Sequence, residues 1–275
     1  MILTAENYFS PEANAAYFSV SQVKRFMECE ACAMAELSGT WEREKTTALM
    51  VGSYVDAHFS RELDLFRAKN PEIYTRTGSL RSEYQQAENI IGRIERDSLA
   101  MRMMGGDTQR IITGEIGGYP FKAKLDCWLD VEQCRDIVAD FPEMADLMFV
   151  PGSIVDMKIM RDFSPMYRDG EGRLNFIEYW KYDFQMAIYQ QLMTLLLDAQ
   201  PPCYILAATK EKTTDIGLFQ IPQNLMDAAL EVNLEQMNHI AAVKRGEIAP
   251  ERCDCCDYCK ETKVLQHASW VEEWA

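Results

Sequence analysis

The segment Gly152-Ser153-Ile154-Val155-Asp156-Met157-Lys158-Ile159-Met160 limits what this chain can fold into more than any other. It follows a Pro151-Gly152 turn signal and is rich in β-branched and apolar residues, which predicts a short buried strand. Strand side chains alternate between faces, so Asp156 and Lys158 point one way and Val155, Met157 and Ile159 the other. A carboxylate and an ammonium within an apolar strand are expensive to bury unless they pair or hold something. A lone Asp-x-Lys is more often a structural ion pair than a catalytic one. Its meaning depends on what the rest of the chain brings to the same face.

Before this strand the pattern is helical. The first 20 residues show little periodicity and read as an arm or a first strand. Ser19 and Ser21 can cap a helix over Gln22–Leu37, with Val23, Phe26, Met27 and Met34 as its stripe and Cys29 and Cys32 on one face. A second helix is expected over Thr47–Ala68, with His58 on or beside its apolar stripe; such a histidine is ordinarily a satisfied core residue. After a loop over residues 70–82, Glu83–Arg102 reads as a third helix, ended by Gly105-Gly106. Arg110–Glu115, the Gly117-Gly118 turn and Tyr119–Asp130 then predict a hairpin. Its second strand alternates, with Phe121, Ala123, Leu125, Cys127 and Leu129 on one face and Lys122, Lys124, Asp126, Trp128 and Asp130 on the other.

Val131–Val150 is acidic and irregular, with room for a short helix, and Arg161–Arg173 is a polar loop long enough to face a substrate. A helix follows over Asn175–Ala199, placing Gln185 and Tyr189 four apart on one face. Strands are expected at Cys203–Thr209 and Asp215–Ile221, and a long helix at Asn224–Arg245. This order gives an α/β fold with a central mixed β-sheet flanked by helices. We expect one domain over residues 1–250 and a cysteine-rich tail over 251–275.

The net charge of −15 is the wrong sign for a simple nucleic-acid binder, so any such function must be local. The start lacks the basic-then-apolar layout of a signal peptide, and no apolar run approaches the roughly 20 residues of a membrane span, so a cytoplasmic protein without membrane contact is expected. Nine cysteines in that setting argue for free thiols or a metal site over disulfides. There is no Gly-x-Ser-x-Gly elbow, P-loop or Gly-x-Gly-x-x-Gly. Carboxylates on adjacent strands instead suit Mg²⁺ or Mn²⁺, and a lysine two residues from one of them can handle water or charge on a phosphorane oxygen.

In order, His58, Leu125-Asp126, Asp156-Met157-Lys158 and Gln185-Met186-Ala187-Ile188-Tyr189 resemble the PD-(D/E)XK nuclease superfamily, in particular its RecB-like branch and the phage and prophage RecE-like exonucleases. The resemblance runs from about Ser19 to Lys260 and implies a restriction-endonuclease-like core. It further implies that His58, Asp126, Asp156 and the Met157 carbonyl bind the metal, that Lys158 activates water, and that Gln185 and Tyr189 order the site or hold the DNA backbone. Glu115 matches a carboxylate often found ahead of the hairpin. The chain departs from the family pattern in having Leu125, not proline, before Asp126, and Ala123 in place of the usual glycine.

Cys253-Asp254-Cys255-Cys256-Asp257-Tyr258-Cys259 packs four cysteines into seven residues. Cys253, Cys256 and Cys259 repeat with a spacing that lets one loop wrap a metal or cluster, and Cys29 or Cys32 could supply the fourth ligand. Zinc and iron–sulfur share such geometry. Some RecB-like nucleases resemble this arrangement, one N-terminal and three C-terminal cysteines holding a [4Fe–4S] cluster, and on that likeness Cys29 is the matching position. Cys127, Cys134 and Cys203 read as ordinary core or loop residues.

These features lead to the expectation of a metal-dependent DNA exonuclease that resects linear duplex ends for phage-type recombination, leaving single strands for an annealing recombinase; a homo-oligomer would be consistent with processive relatives. The rivals are a catalytically inactive nuclease-fold scaffold or DNA-binding protein, and a zinc-binding regulatory protein whose working part is the tail.

Overall fold

The computed structural model describes residues 1–145 and 151–265. The end of the acidic segment, with Asp146, and the last part of the tail therefore lie outside the described residues. The chain opens with helices α1 (Pro11–Ala16), α2 (Val20–Glu28), α3 (Glu30–Leu37), α4 (Thr47–Phe59), α5 (Leu63–Lys69), α6 (Ser82–Glu95) and α7 (Ser98–Met103). The hairpin β1 (Asp107–Ile116) and β2 (Tyr119–Leu129) follows, then α8 (Val131–Asp140) and β3 (Ser153–Met160). A small hairpin β4 (Met166–Arg168) and β5 (Gly172–Leu174) leads to α9 (Phe176–Tyr179) and α10 (Tyr182–Leu197). The chain continues with β6 (Cys203–Thr209), β7 (Ile216–Gln220), α11 (Gln223–Glu235), α12 (Met237–Lys244) and α13 (Asp257–Glu261).

Helices expected as single rods break in several places, each for a local reason. Cys29 takes an extended backbone (φ −167°, ψ 109°), ends α2 and caps α3, its sulfur accepting the Cys32 N–H at 3.4 Å. Arg61 turns left-handed between α4 and α5, and Lys181 does so between α9 and α10. Asp97 caps α7 by accepting the Ala100 N–H at 2.9 Å, which separates it from α6. Of the two forms expected for the first 20 residues, the arm is the one observed, with a short helix in it; it is joined to the sheet by the Phe18–Phe121 bridge and by the Lys122 ammonium, which donates to the Tyr8 carbonyl and to Asn14 Oδ1. Val131–Asp140 is more regular than expected, because Asp130 and Gln133 form a reciprocal capping box.

The five-stranded sheet has the order β1-β2-β3-β6-β7, with β3 and β6 parallel and every other pair antiparallel. One layer of helices, α2, α10, α11 and α12, covers one face through Phe121, Leu125, Ile154, Ile205, Phe184 and Leu192. On the other face α4, α6, α7 and α8 pack on Cys127, Leu129, Val155, Met157, Tyr204 and Leu206. Each such fully buried apolar side chain contributes roughly 1.5–3 kcal/mol relative to exposure. The alternation of β3 holds: Ile154 and Met160 face α10, Val155 and Met157 face α4.

The alternation of β2 does not hold along its length. Phe121, Ala123 and Leu125 pack with α10, but Cys127 and Leu129 pack on the opposite layer, and Trp128 takes the α10 side. The phase changes at Asp126, across from Gln109, which breaks the β1 ladder with a left-handed backbone (φ 57°). β2 also pairs with β3 over only Cys127–Leu129. Beyond that point the two strands separate, and Asp126 stands at the fork. Gly152 makes the entry to β3 possible: with φ 141°, a Cβ there would collide with the Leu129 carbonyl and the Trp128 ring.

Candidate active site and cysteine centre

Asp156 is 1% exposed, so its charge needs partners. Its Oδ1 accepts the Gln185 amide N–H at 2.8 Å from α10. Its Oδ2 forms an ion pair with the Lys158 ammonium and has no other polar partner among the described residues. Gln185 also lies 3.3 Å from the Tyr189 hydroxyl, one helical turn on. At the fork, Asp126 Oδ2 accepts the Met157 N–H at 2.9 Å. A side chain thus takes the ladder bond that β2 no longer supplies.

The site is short of positive charge. Burial, and then Asp156, push the Asp126 carboxyl well above the usual range, against the pull of Lys158. Burial would lower Lys158, but Asp156 and Asp126 outweigh it and hold the ammonium protonated. Burial also raises Tyr189, with Asp156 and Asp126 adding to it, so the phenol stays neutral and can donate. Two hard carboxylates, the second oxygen of Asp156 held by Lys158 alone, beside the Met157 carbonyl are a donor set that fits Mg²⁺ or Mn²⁺.

Two cavities meet at this point, one of about 520 Å³ and one of about 730 Å³, and both are lined by Asp126 and Lys158. Lys24, Arg25, Lys122 and Lys124 line the first, a local cationic groove in an acidic chain. Asp56, Trp180 and Tyr182 line the second.

Asp126, Asp156, Met157, Lys158, Gln185 and Tyr189 therefore come together, whereas His58 and Glu115 do not. His58 points to α6, with Nε2 2.9 Å from Glu95 Oε1 and its ring edge-on to Phe59. Asp56 faces the site in its place. Successive helix residues are 100° apart, so two positions carry a side chain most of the way to the opposite face. The wall of α4 along the cavity is Leu49, Gly52, Ser53 and Asp56, an i, i+3, i+4, i+7 stripe. Burial raises the Asp56 carboxyl, while Lys124 and Lys158 oppose the rise. Gln109 reaches Asp56 Oδ1 at 3.4 Å. Glu115 is exposed near the far end of β1, opposite Pro120, six positions and about 20 Å from Gln109.

The sequence pattern also leaves out Lys24, whose ammonium donates to the Trp180 carbonyl at 2.7 Å and sits over the Tyr182 ring. Burial, then Lys158, lower it to about 7. The small-residue stripe ending at Asp56 was a readable signal; nothing in the sequence marked Lys24.

The cysteine centre lies apart. The sulfurs of Cys29, Cys253, Cys256 and Cys259 all fall within 4.8 Å of one another, with Cys29 Sγ 3.5 Å and Cys253 Sγ 4.0 Å from Cys259 Sγ. Cys32, buried toward Glu36, and the exposed Cys255 are outside this group. The Cys255 N–H, with help from that of Cys256, lowers Cys253 to about 6, favouring the thiolate that binds metal. Trp41 stacks edge-on against Tyr258, and the Ala31 N–H donates to the Glu251 carbonyl at 2.9 Å, holding the tail on α3. Cys127, Cys134 and Cys203 are buried in the core, as expected. Among the described residues, no helix is long and apolar enough to cross a membrane.

A family model described as a PDDEXK-like domain of unknown function (DUF3799) matches residues 19–140 and 139–262. No curated protein matches the chain. A crystal structure from Eubacterium rectale, described as that of a "putative exonuclease", is 39% identical in sequence; the match covers 100% of this chain and 98% of that one, with a TM-score of 0.89.

Proposed function

This chain belongs to that PDDEXK-like family and has its nuclease fold, and on that premise we propose that it is a divalent-metal-dependent deoxyribonuclease that resects linear duplex ends. The observation that carries the reading is the fork. Asp126 and Asp156 meet there with Lys158 and Gln185 where two strands separate, in a cleft flanked by a cationic groove. A structural ion pair would need only Asp156 and Lys158. It would not need a second buried carboxylate that raises the cost of both.

Asp126, Asp156 and the Met157 carbonyl would hold the cation, with Asp56 as a third carboxylate in the same cavity. The metal would act as a Lewis acid on the phosphodiester. Lys158, kept protonated by its neighbours, acts as a donor that orients water and neutralises charge on the phosphorane oxygens. Gln185 fixes Asp156 from behind, and Tyr189 stands ready to donate to the DNA backbone. Lys124 and Arg25 supply the local attraction for phosphates that the −15 net charge withholds elsewhere.

The four thiols would hold a structural metal centre. The family resemblance favours [4Fe–4S], and sulfurs within 4.8 Å of one another also suit a single tetrahedral zinc. Iron with visible absorption, or one zinc per chain, decides between them. The single strands left by resection would pass to an annealing recombinase.

The test is hydrolysis of linear duplex, single-stranded and flapped DNA with Mg²⁺ or Mn²⁺. Degradation of linear duplex that is lost in Asp156→Asn supports the reading. An inert wild type that binds neither metal by calorimetry would make the chain a non-catalytic scaffold.

A further inference from the structure

The two cavities share Asp126 and Lys158 but differ in chemistry. The smaller gathers Lys24, Arg25, Lys122 and Lys124 with Glu36 and Asp156; the larger has an apolar and aromatic wall of Leu49, Ile159, Met166, Trp180 and Tyr182, with Asp56, Arg161, Asp162 and Lys210 also on its lining. A phosphate backbone suits the first and a nucleobase the second. Resting on the nuclease reading, we infer that Trp180 is the stacking surface of a subsite for one unpaired nucleobase beside the scissile phosphate, so that the enzyme engages a single-stranded or frayed end.

Three observations converge on Trp180. It is 49% exposed although its neighbours Phe176 and Ile177 are buried, and among the described residues its aromatic contact is with Tyr179, edge-on, which leaves a face for stacking. Its position is held at a cost. The next residue, Lys181, is left-handed (φ 52°) and enters α10 with no side-chain cap. Such a non-glycine conformation is uncommon and persists where the surroundings impose it. The imposed bend lets Trp180 line the cavity while α10, starting two residues later, aims Gln185 at Asp156. Finally, Lys24 pins the Trp180 carbonyl at 2.7 Å, and the same lysine lines the cationic cavity. One side chain therefore joins the phosphate side of the cleft to the base side.

About 730 Å³ is within the range of small-ligand sites and is room enough for a nucleotide. Every base presents a π face, so the subsite would read strandedness and not sequence.

The experiment compares wild type, Trp180→Ala and Trp180→Phe on a short single-stranded oligonucleotide and on the same oligonucleotide carrying one abasic residue at successive positions from its end. Initial rates with Mg²⁺ give KM and kcat; anisotropy of the labelled strands with Ca²⁺ gives affinity. Trp180→Ala should raise KM and Kd for the intact strand by about tenfold, with kcat falling far less. Trp180→Phe should recover most of the loss. At one position the abasic residue should weaken wild type by a similar factor and weaken Trp180→Ala no further. Wild-type KM in Trp180→Ala, or an abasic penalty that persists undiminished in it, overturns the subsite. If wild type hydrolyses no DNA, the nuclease reading fails, and the abasic comparison by anisotropy still decides the subsite.

Discussion

The carboxylate cleft and the cysteine centre are the two sites proposed to take metal, and they are assembled in opposite ways. The cleft draws Asp126 from β2, Asp156 from β3 and Asp56 from α4, three elements that the sheet and its two apolar layers hold in place. Its charges oppose folding, as the raised Asp126 and Asp56 carboxyls show. The cysteine centre takes three thiols from one seven-residue loop and one from the α2–α3 junction, and little besides α3, Trp41 and Tyr258 packs there. The core thus maintains the first site, whereas the second helps maintain the chain by fastening the tail to the N-terminal helices. Cys29 connects the two, because it ends the helix that carries Lys24 into the cleft.

The comparison is open to breakage in order of expected effect. Asp156→Asn should lower DNA hydrolysis by about 10³-fold or more, since several kcal/mol of charge stabilisation depend on it and 1.36 kcal/mol is tenfold. The melting temperature of Asp126→Asn should hold or rise, because there a buried charge that opposes folding is gone while the amide oxygen put in its place can still accept the Met157 N–H. A large fall in stability would mean that the cleft is structural after all. Cys256→Ser should do the reverse. Metal content should vanish, and melting should fall by about 10 °C, the scale of a cross-link closing a very long loop. Hydrolysis should drop only modestly, through the looser seating of α2. Loss of activity as deep as that of Asp156→Asn, with melting unchanged, would place the thiols in the chemistry.

Two smaller effects sharpen the map of the cleft. Asp56→Asn should cost about 10- to 100-fold in activity or metal affinity, the usual scale for groups supporting a metal site, whereas His58→Ala should stay within about twofold. The opposite order would return His58 to the site. Glu115→Ala should leave both activity and stability within about 0.5 kcal/mol of wild type, as an exposed residue far from both centres.

What the sequence made legible follows from how local each signal is. The cysteine loop and the β3 Asp-x-Lys pair are short-range patterns, readable because spacing alone sets their geometry. Gln185 and Tyr189 were readable as one helical face. Asp56 and His58 lie two apart on one helix with apolar residues on both sides, and only the packing of α4 on the sheet shows which of them turns inward. Glu115 failed for a different reason: the Gly117-Gly118 turn sets the register, which puts Gln109 and not Glu115 opposite Asp126. Likewise the phase change in β2 depends on the left-handed Gln109 of the neighbouring strand, a tertiary feature with no mark in β2 itself. The long helices were correct in place and wrong in continuity, because Cys29 turns extended and Arg61 and Lys181 turn left-handed where a helix would have run on, and none of the three is a glycine or proline that would mark a break.

The most direct test of the account is digestion of end-labelled linear duplex and covalently closed circular duplex by metal-loaded wild type and Asp156→Asn. The account predicts progressive loss of the linear DNA with Mg²⁺ or Mn²⁺, an intact circle, and no reaction by the variant. Equal degradation of the circle would contradict end resection, and equal degradation by Asp156→Asn would contradict the carboxylate fork as the seat of the chemistry.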